Sequence, residues 1–311
     1  MNEELALRFE GIEHRRTTFR LGPLSLDIPK GYITAIVGPN GSGKSSLFRL
    51  ALNLTQPDSG SLTMLGEKVG KYPDEYMKQR IGYLSEDSSS HDDSIRGNSK
   101  AEFHSFWYRN WDVNLYQELL QVFKIHDHQP LSKMSKGMRR KFEFTLAMAH
   151  HPELLLLDEP SSGLDPLAWK SMIEVLHRYM DQGDRTILMA THIVEEVRRL
   201  ADYIVFIVQG QVLGVYEKDE LFSSWMNLYV SCERASHKSL ENMPGQCAIE
   251  HAGGTTYRVT TDRAMEAEQW CRQEDVAIVS RGSMELDDIL AVLMEQSGFG
   301  IRAYEARGHG K

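Results

Sequence analysis

Ile33-Thr-Ala-Ile-Val37 is continuously apolar, rich in β-branched residues, and ends at Gly38. A run of this kind fits a strand buried on both faces of a sheet. The next stretch, Gly38-Pro39-Asn40-Gly41-Ser42-Gly43-Lys44-Ser45, breaks both helix and strand with its glycines and proline. Ser45-Ser46-Leu-Phe-Arg-Leu-Ala-Leu-Asn-Leu54 then reads as a helix. Strand, glycine-rich turn and helix in that order restrict the chain to a layered α/β architecture. The turn fits G-x-x-x-x-G-K-[ST] without error. Its glycines let the backbone bend so that N–H groups point at phosphate oxygens, and the helix offers its positive end to the same anion. In this pattern Lys44 neutralises phosphate charge, Ser45 offers a hydroxyl to Mg2+, and Ser46 completes the candidate nucleotide-binding set. A plain surface turn is the competing reading, and the strand before it and helix after it weigh against that.

A second buried run, Leu154-Leu-Leu-Leu157, delivers Asp158 and Glu159 at its end. Alone, two acids at a strand terminus are solvated charges at a sheet edge. Paired with a phosphate cradle they suit division of labour: Asp158 holds Mg2+ and Glu159 polarises the water that attacks the γ-phosphate.

Elsewhere strands and helices alternate. Residues 1–30 have period-two patterning and predict paired strands, 55–85 turns and short strands, and 88–98 a polar loop. An aromatic-rich helix is expected over 101–126 and another over 135–150. Helices at 167–181 and 193–201 alternate with strands at 186–190 and 203–208, which implies a mostly parallel, covered sheet. Past residue 222 the pattern changes to alternating segments, a helix with Ala264, Ala267 and Trp270 on one face, and a last helix with Leu286, Ile289, Leu290 and Leu293 at helical spacing. Residues 306–311 are expected to be a frayed tail.

Composition excludes several classes. The 311 residues suit roughly two domains. The longest uncharged run, Tyr203–Tyr216, is about fourteen residues, short of the roughly twenty needed to cross a bilayer. The acidic start lacks the order of a secretory signal, and Cys232, Cys247 and Cys271 have no metal or disulfide spacing, so a reduced cytosolic protein is expected. A net charge of −9 argues against a nucleic-acid binder.

Taken in order, the motifs resemble the ATP-binding subunits of ATP-binding-cassette (ABC) transporters. After 38–45 come Ile81-Gly-Tyr-Leu-Ser-Glu86, Leu131-Ser-Lys-Met134-Ser135-Lys136-Gly137-Met138, Leu154–Glu159, Ser162-Gly-Leu-Asp165-Pro and Thr191-His192. Three departures stand out. The usual LSGGQ signature reads Met-Ser-Lys-Gly-Met, keeping the serine and second glycine, similar to the "SKGM" form of a bacterial exporter branch linked to antimicrobial and amphipathic peptides. Glu86 stands where the family has glutamine. The adenine-stacking aromatic is not evident: His14 and Arg15 lie near its place, and Phe19 is the nearest aromatic.

The resemblance implies an α/β P-loop ABC-type ATPase over residues 1–221, with a mostly parallel core sheet, an antiparallel β subdomain and a helical subdomain at about 88–150. A small α+β accessory or dimerisation domain follows at 222–311, a regulatory ligand-binding module being equally open. It implies ATP and Mg2+ as cofactors, with Ser45, Asp158 and Glu86 toward the metal. Two copies close head to tail, so that Ser135 and the Gly137 N–H reach the γ-phosphate held by the other copy. His192 contacts that phosphate and helps position water, while Asp165 links the two sites. The implied partners are a second copy and a separate integral-membrane permease, with no nucleic acid, at the inner face of the cell membrane. Phe103, Phe106, Trp107, Tyr108 and Trp111 are either core or the contact with that permease, and the cargo is expected to be a small peptide or hydrophobic toxin. A soluble ABC ATPase acting on a ribosome or nucleic-acid complex is the alternative. Members of that kind usually carry paired cassettes with a basic linker or a long coiled coil, and this chain shows neither. His126-Asp127-His128 reads as a solvated loop, and the basic run Lys136, Arg139-Arg140-Lys141 as a solvated face or a partner contact.

Overall fold

Alternation places Leu7 and Phe9 of β1 (Leu5–Arg16) and Leu24, Leu26 and Ile28 of β2 (Phe19–Pro29) on one buried face, and a register shift between Phe9 and Ile12 keeps Ile12 buried as well. The two strands pair antiparallel, Phe9 opposite Leu26. The computed structural model describes residues 4–16, 19–70, 74–86, 92–231 and 237–299; the tail at 306–311, Cys232 and residues 88–91 of the polar stretch lie outside them. Two compact units divide the chain, Met1–Val212 and Leu213–Lys311.

In the first unit, β3 (Ile33–Val37) and α1 (Lys44–Ala51) lead to β4 (Ser59–Met64), β5 (Glu67–Lys68), α2 (Asp74–Lys78) and β6 (Ile81–Leu84). Three helices follow, α3 (Gly97–Trp107), α4 (Val113–Phe123) and α5 (Lys136–Met148). Then β7 (Leu154–Asp158), α6 (Pro166–Met180), β8 (Thr186–Thr191), α7 (Val194–Leu200) and β9 (Tyr203–Val208) complete the series, and β10 (Gln211–Glu217) runs across the division at Val212 along the chain. An antiparallel sheet has the order β2-β1-β4-β5, and a six-stranded sheet the order β10-β9-β3-β8-β7-β6. From β9 to β6 every described pairing is parallel. One apolar cluster joins both sheets, with Phe9 and Leu26 from the first, Leu156, Leu188 and Val205 from the second, and Leu47 and Phe48 of α1.

Parallel pairing has one functional consequence. Gly38 follows β3, Ser85 and Glu86 follow β6, Glu159 follows β7 and His192 follows β8, so all five lie past carboxyl ends on the same edge of the sheet, where α/β sheets bind ligands.

The helix expected over 101–126 is two helices. Asp112 caps the second, accepting from the N–H groups of Asn114 at 2.8 Å and Leu115 at 3.1 Å. Its other oxygen lies 3.0 Å from His151 Nε2. A cap of this kind is worth about 1 kcal/mol to the helix it opens. The aromatics divide accordingly. Tyr108 stacks on His150 at 3.8 Å between centroids and Trp111 leans on Tyr116, whereas Phe103, Phe106 and Trp107 are exposed. Among the described residues no helix is long and apolar enough to cross a membrane.

The second unit contains α8 (Lys218–Ser224), β11 (Met226–Ser231), α9 (His237–Leu240), β12 (Gln246–Gly253), β13 (Thr256–Thr261), α10 (Ala264–Gln273), β14 (Ala277–Ser283) and α11 (Leu286–Gln296). Its sheet order, β12-β13-β11-β14, is antiparallel throughout, the split βαβ arrangement. Leu228, Val230 and Val259 pack with Ala267 and Cys271 of α10. A reciprocal capping box between Glu285 and Asp288 opens α11.

Candidate nucleotide-binding site

The cradle is built on two close approaches. A Cβ on Gly38 would run into the carbonyl oxygen of Ile207 in β9, and Gly43 has φ +112° beneath the side chains of Phe19 and Leu21. Only glycine meets both demands without strain. Gly210, just past β9, donates its N–H to Ser42 O at 2.8 Å. Pro39, Asn40 and Gly41 rim the loop, and Lys44 begins α1 with Ser45 and Ser46 next to it. Lys44 is 7% exposed, its Nζ donating to Gly38 O at 2.7 Å and Pro39 O at 3.3 Å. Burial pulls its pKa down, while Glu159, Asp158 and Glu86 act in the opposite sense. We expect Gly38→Ala to cost about 1–3 kcal/mol, because backbone meets methyl and neither has room to yield. Thermal melting should fall by roughly 2–10 °C; an unchanged midpoint would contradict the packing described.

Ser45 hydrogen-bonds the carboxylate of Asp158. The other oxygen, Oδ1, is buried without a hydrogen-bond partner. Burial pushes the Asp158 carboxyl up to about 6, and Glu86 and Glu159 add to the rise while Ser45 and Arg140 oppose it. An orphaned carboxylate oxygen beside a hydroxyl suits a divalent cation, so these residues fit Mg2+. Glu159 is 6% exposed and sits at φ +49°, a conformation that costs a non-glycine residue roughly 1–3 kcal/mol and recurs at functional sites. Its Oε2 lies 2.9 Å from His192 Nδ1, a close contact not aligned as a hydrogen bond. Lys44, Ser45, Glu86, Asp158, Glu159 and His192 thus form one constellation.

Ser135, Gly137 and Asp165 belong to a neighbouring surface. Ser135 is the N-cap of α5, accepting from Met138 N at 3.2 Å, and a Cβ on Gly137 would stand 2.7 Å from Gly163 O. Asp165 caps α6 through Leu167 N at 3.0 Å and Ala168 N at 2.9 Å, and these bonds hold its carboxyl below the usual range. Both serine and aspartate are exposed. Phe19, half-buried, packs into the core above Gly43, and His14 Nε2 lies 3.4 Å from Arg16 Nε.

Two expectations of solvated side chains are overturned, one at Arg139 and Arg140 and one at Asp127. Arg139 and Arg140 are not solvated: they are 7% and 2% exposed. Arg139 pairs with Asp93 and, at 3.2 Å, with Glu143. Arg140 reaches the main chain around both acid-bearing strand ends. The signal lay in Phe142-Glu-Phe144, whose alternate aromatics require α5 to be buried nearly all round. Glu196 of α7, fully buried beside Ser161 and Thr191, was also not singled out by sequence; burial raises its pKa. Asp127 is buried and accepts from Tyr116 OH at 2.8 Å, while His126 and His128 are exposed.

A phosphate loop after β3, facing acids at the end of β7 in a parallel sheet flanked by an antiparallel one, defines a P-loop ATPase of the ABC type. The family model described as ABC transporter matches residues 21–162. The ABC transporter ATP-binding protein NatA of Bacillus subtilis is 31% identical over 65% of this chain and 83% of its own length. The lantibiotic transport ATP-binding protein SrtF of Streptococcus pyogenes is 28% identical over 66% of this chain and 90% of its own. A solved ATP-binding subunit of an ABC transporter shares the fold, with a TM-score of 0.64, 24% identity, and coverage of 71% of this chain and 92% of that one. The chain belongs to the ABC transporter ATP-binding family.

Proposed function

We propose that the chain is the ATP-hydrolysing subunit of an ABC exporter, closing head to tail on ATP with a second copy and driving a separate integral-membrane permease from the cytoplasmic side. The observation that carries hydrolysis is Glu159, a buried carboxylate beside His192 and facing Lys44. The loop amides and Lys44 bind and orient the triphosphate. Asp158 and Ser45, with Glu86 nearby, would hold Mg2+, which supplies Lewis-acid neutralisation of phosphate charge. Glu159 takes a proton from the attacking water, and His192 fixes that water's position. Ser135 and the start of α5 lie exposed as a second anion-binding helix terminus, consistent with an offering to the other copy, and Asp165 would tie the two sites. Binding thereby shifts the population toward the closed pair, and hydrolysis releases it.

Export of a small peptide or hydrophobic toxin is supported by relatives such as the lantibiotic transport protein. The permease contact is supported by α3, where Phe103, Phe106 and Trp107 are 66%, 90% and 43% exposed; aromatic anchors of this kind are typical of interfaces. Residues 222–311 form the proposed accessory or dimerisation module. Replacing Phe103, Phe106 and Trp107 together by serine should leave the purified chain's ATPase rate within about twofold. The same variant should abolish recovery of the chain with a membrane protein partner, measured by affinity purification from solubilised membranes. Retained recovery would remove α3 from the proposal, and failure of the intact chain to recover any membrane protein would favour the soluble alternative.

A further inference from the structure

The β6–β7 ladder ends at the pair Leu84 and Leu157, one residue before Asp158 and two before Glu86. Past that pair no further rung is described, and Arg140 of α5 bridges the two segments. Its guanidinium donates to the carbonyls of Ser85 and, at 3.5 Å, Glu86 on the β6 side. On the β7 side it donates to the carbonyls of Asp158, of Glu159 at 2.6 Å and of Pro160 at 3.2 Å. We propose that Arg140 is a positioning residue: its planar fork replaces the missing rungs of the ladder and sets the separation between Glu86 and the Asp158–Glu159 pair, fixing Glu159 in register for hydrolysis.

Three physical points support this. A guanidinium is the one side chain whose donors, fixed in a plane, can engage several carbonyls at once. Glu159 holds a left-handed backbone conformation, which persists only where the surroundings impose it; here Ala190 O receives its N–H at 2.8 Å and Arg140 takes its carbonyl. Finally, a cation 2% exposed is retained only with partners on all sides. Asp158, Glu86, Glu143 and Glu196 supply the opposing charge around it. Because α5 also begins at Ser135, the same helix carries the exposed signature at one end and this clamp one turn further on. The assignment rests on the proposed ATPase reading for its kinetic readout, and not for its structural one.

The test uses the full chain with Arg140→Gln and Arg140→Lys. For Arg140→Gln we expect kcat to fall by about 10- to 100-fold while the Kd for a fluorescent ATP analogue stays within about threefold, since the cradle at 38–46 is untouched. Amide hydrogen exchange at Glu159 and Ser162 should accelerate at least about tenfold with the rest of α5 unchanged. Arg140→Lys should recover only part of kcat, because a point charge cannot span both strand ends. Full activity of Arg140→Gln with unaltered exchange overturns the proposal. So does loss of protection spread along the whole of α5, which signals a merely structural role. If the intact chain hydrolyses no ATP, the exchange arm alone decides, and the failure belongs to the ATPase reading.

Discussion

Glu159→Gln should reduce ATP turnover by about 10²- to 10⁴-fold, the range that a positioned general base contributes. The substitution keeps volume, shape and the main-chain contacts of Glu159 to Ala190 and Arg140, so the left-handed backbone at this position is preserved. What it removes is a proton acceptor and a negative charge. Loss of that charge beside Lys44 relieves repulsion toward the triphosphate, so nucleotide affinity should hold or rise. With binding intact and cleavage blocked, the closed pair has no exit, and size-exclusion chromatography with Mg-ATP should show a dimer that the unmodified chain forms only fleetingly. Normal turnover in this variant would show that another group takes the proton.

Lys44→Ala should weaken nucleotide binding by roughly tenfold to a hundredfold, the equivalent of a hydrogen bond to a charged group worth about 1.5–3 kcal/mol. The ammonium is buried, held by two loop carbonyls and surrounded by three carboxylates, so its charge is partly spent when no phosphate is present. A triphosphate adds negative charge to that balance and draws the ammonium onto itself. Removing the lysine leaves Asp158, Glu159 and Glu86 facing phosphate without a cation. Titration with a fluorescent nucleotide measures the loss, and circular dichroism melting separates it from unfolding. Unchanged affinity would refute the role of Lys44.

Much of this site was legible because its chemistry is local in sequence. Gly38 to Ser45 carries its own geometry: the glycines, the lysine and the helix start are neighbours along the chain. Asp158 and Glu159 were legible because the short leucine run before them fits a buried strand in an alternating α/β series, and it forms one. What sequence did not give depends on tertiary contact. The interruption of 101–126 has neither glycine nor proline at 108–112; its one mark is Asp112 as a cap. Asp165 was read through the family as a link between sites, whereas the adjacent Pro166 already marked it as the N-cap of α6. Arg140 was hidden because a basic run usually faces water, and its carbonyl partners are 18 to 55 residues away.

Ile207 and Gly210 bring no chemistry of their own, yet one walls the phosphate loop and the other ties it down through Ser42. The family-model match ends at residue 162, nearly fifty positions earlier. A fragment cut at that boundary would keep every reactive group of the loop and lose the scaffold that shapes it, so an autonomous nucleotide binder made from this chain is expected to run through Gly210.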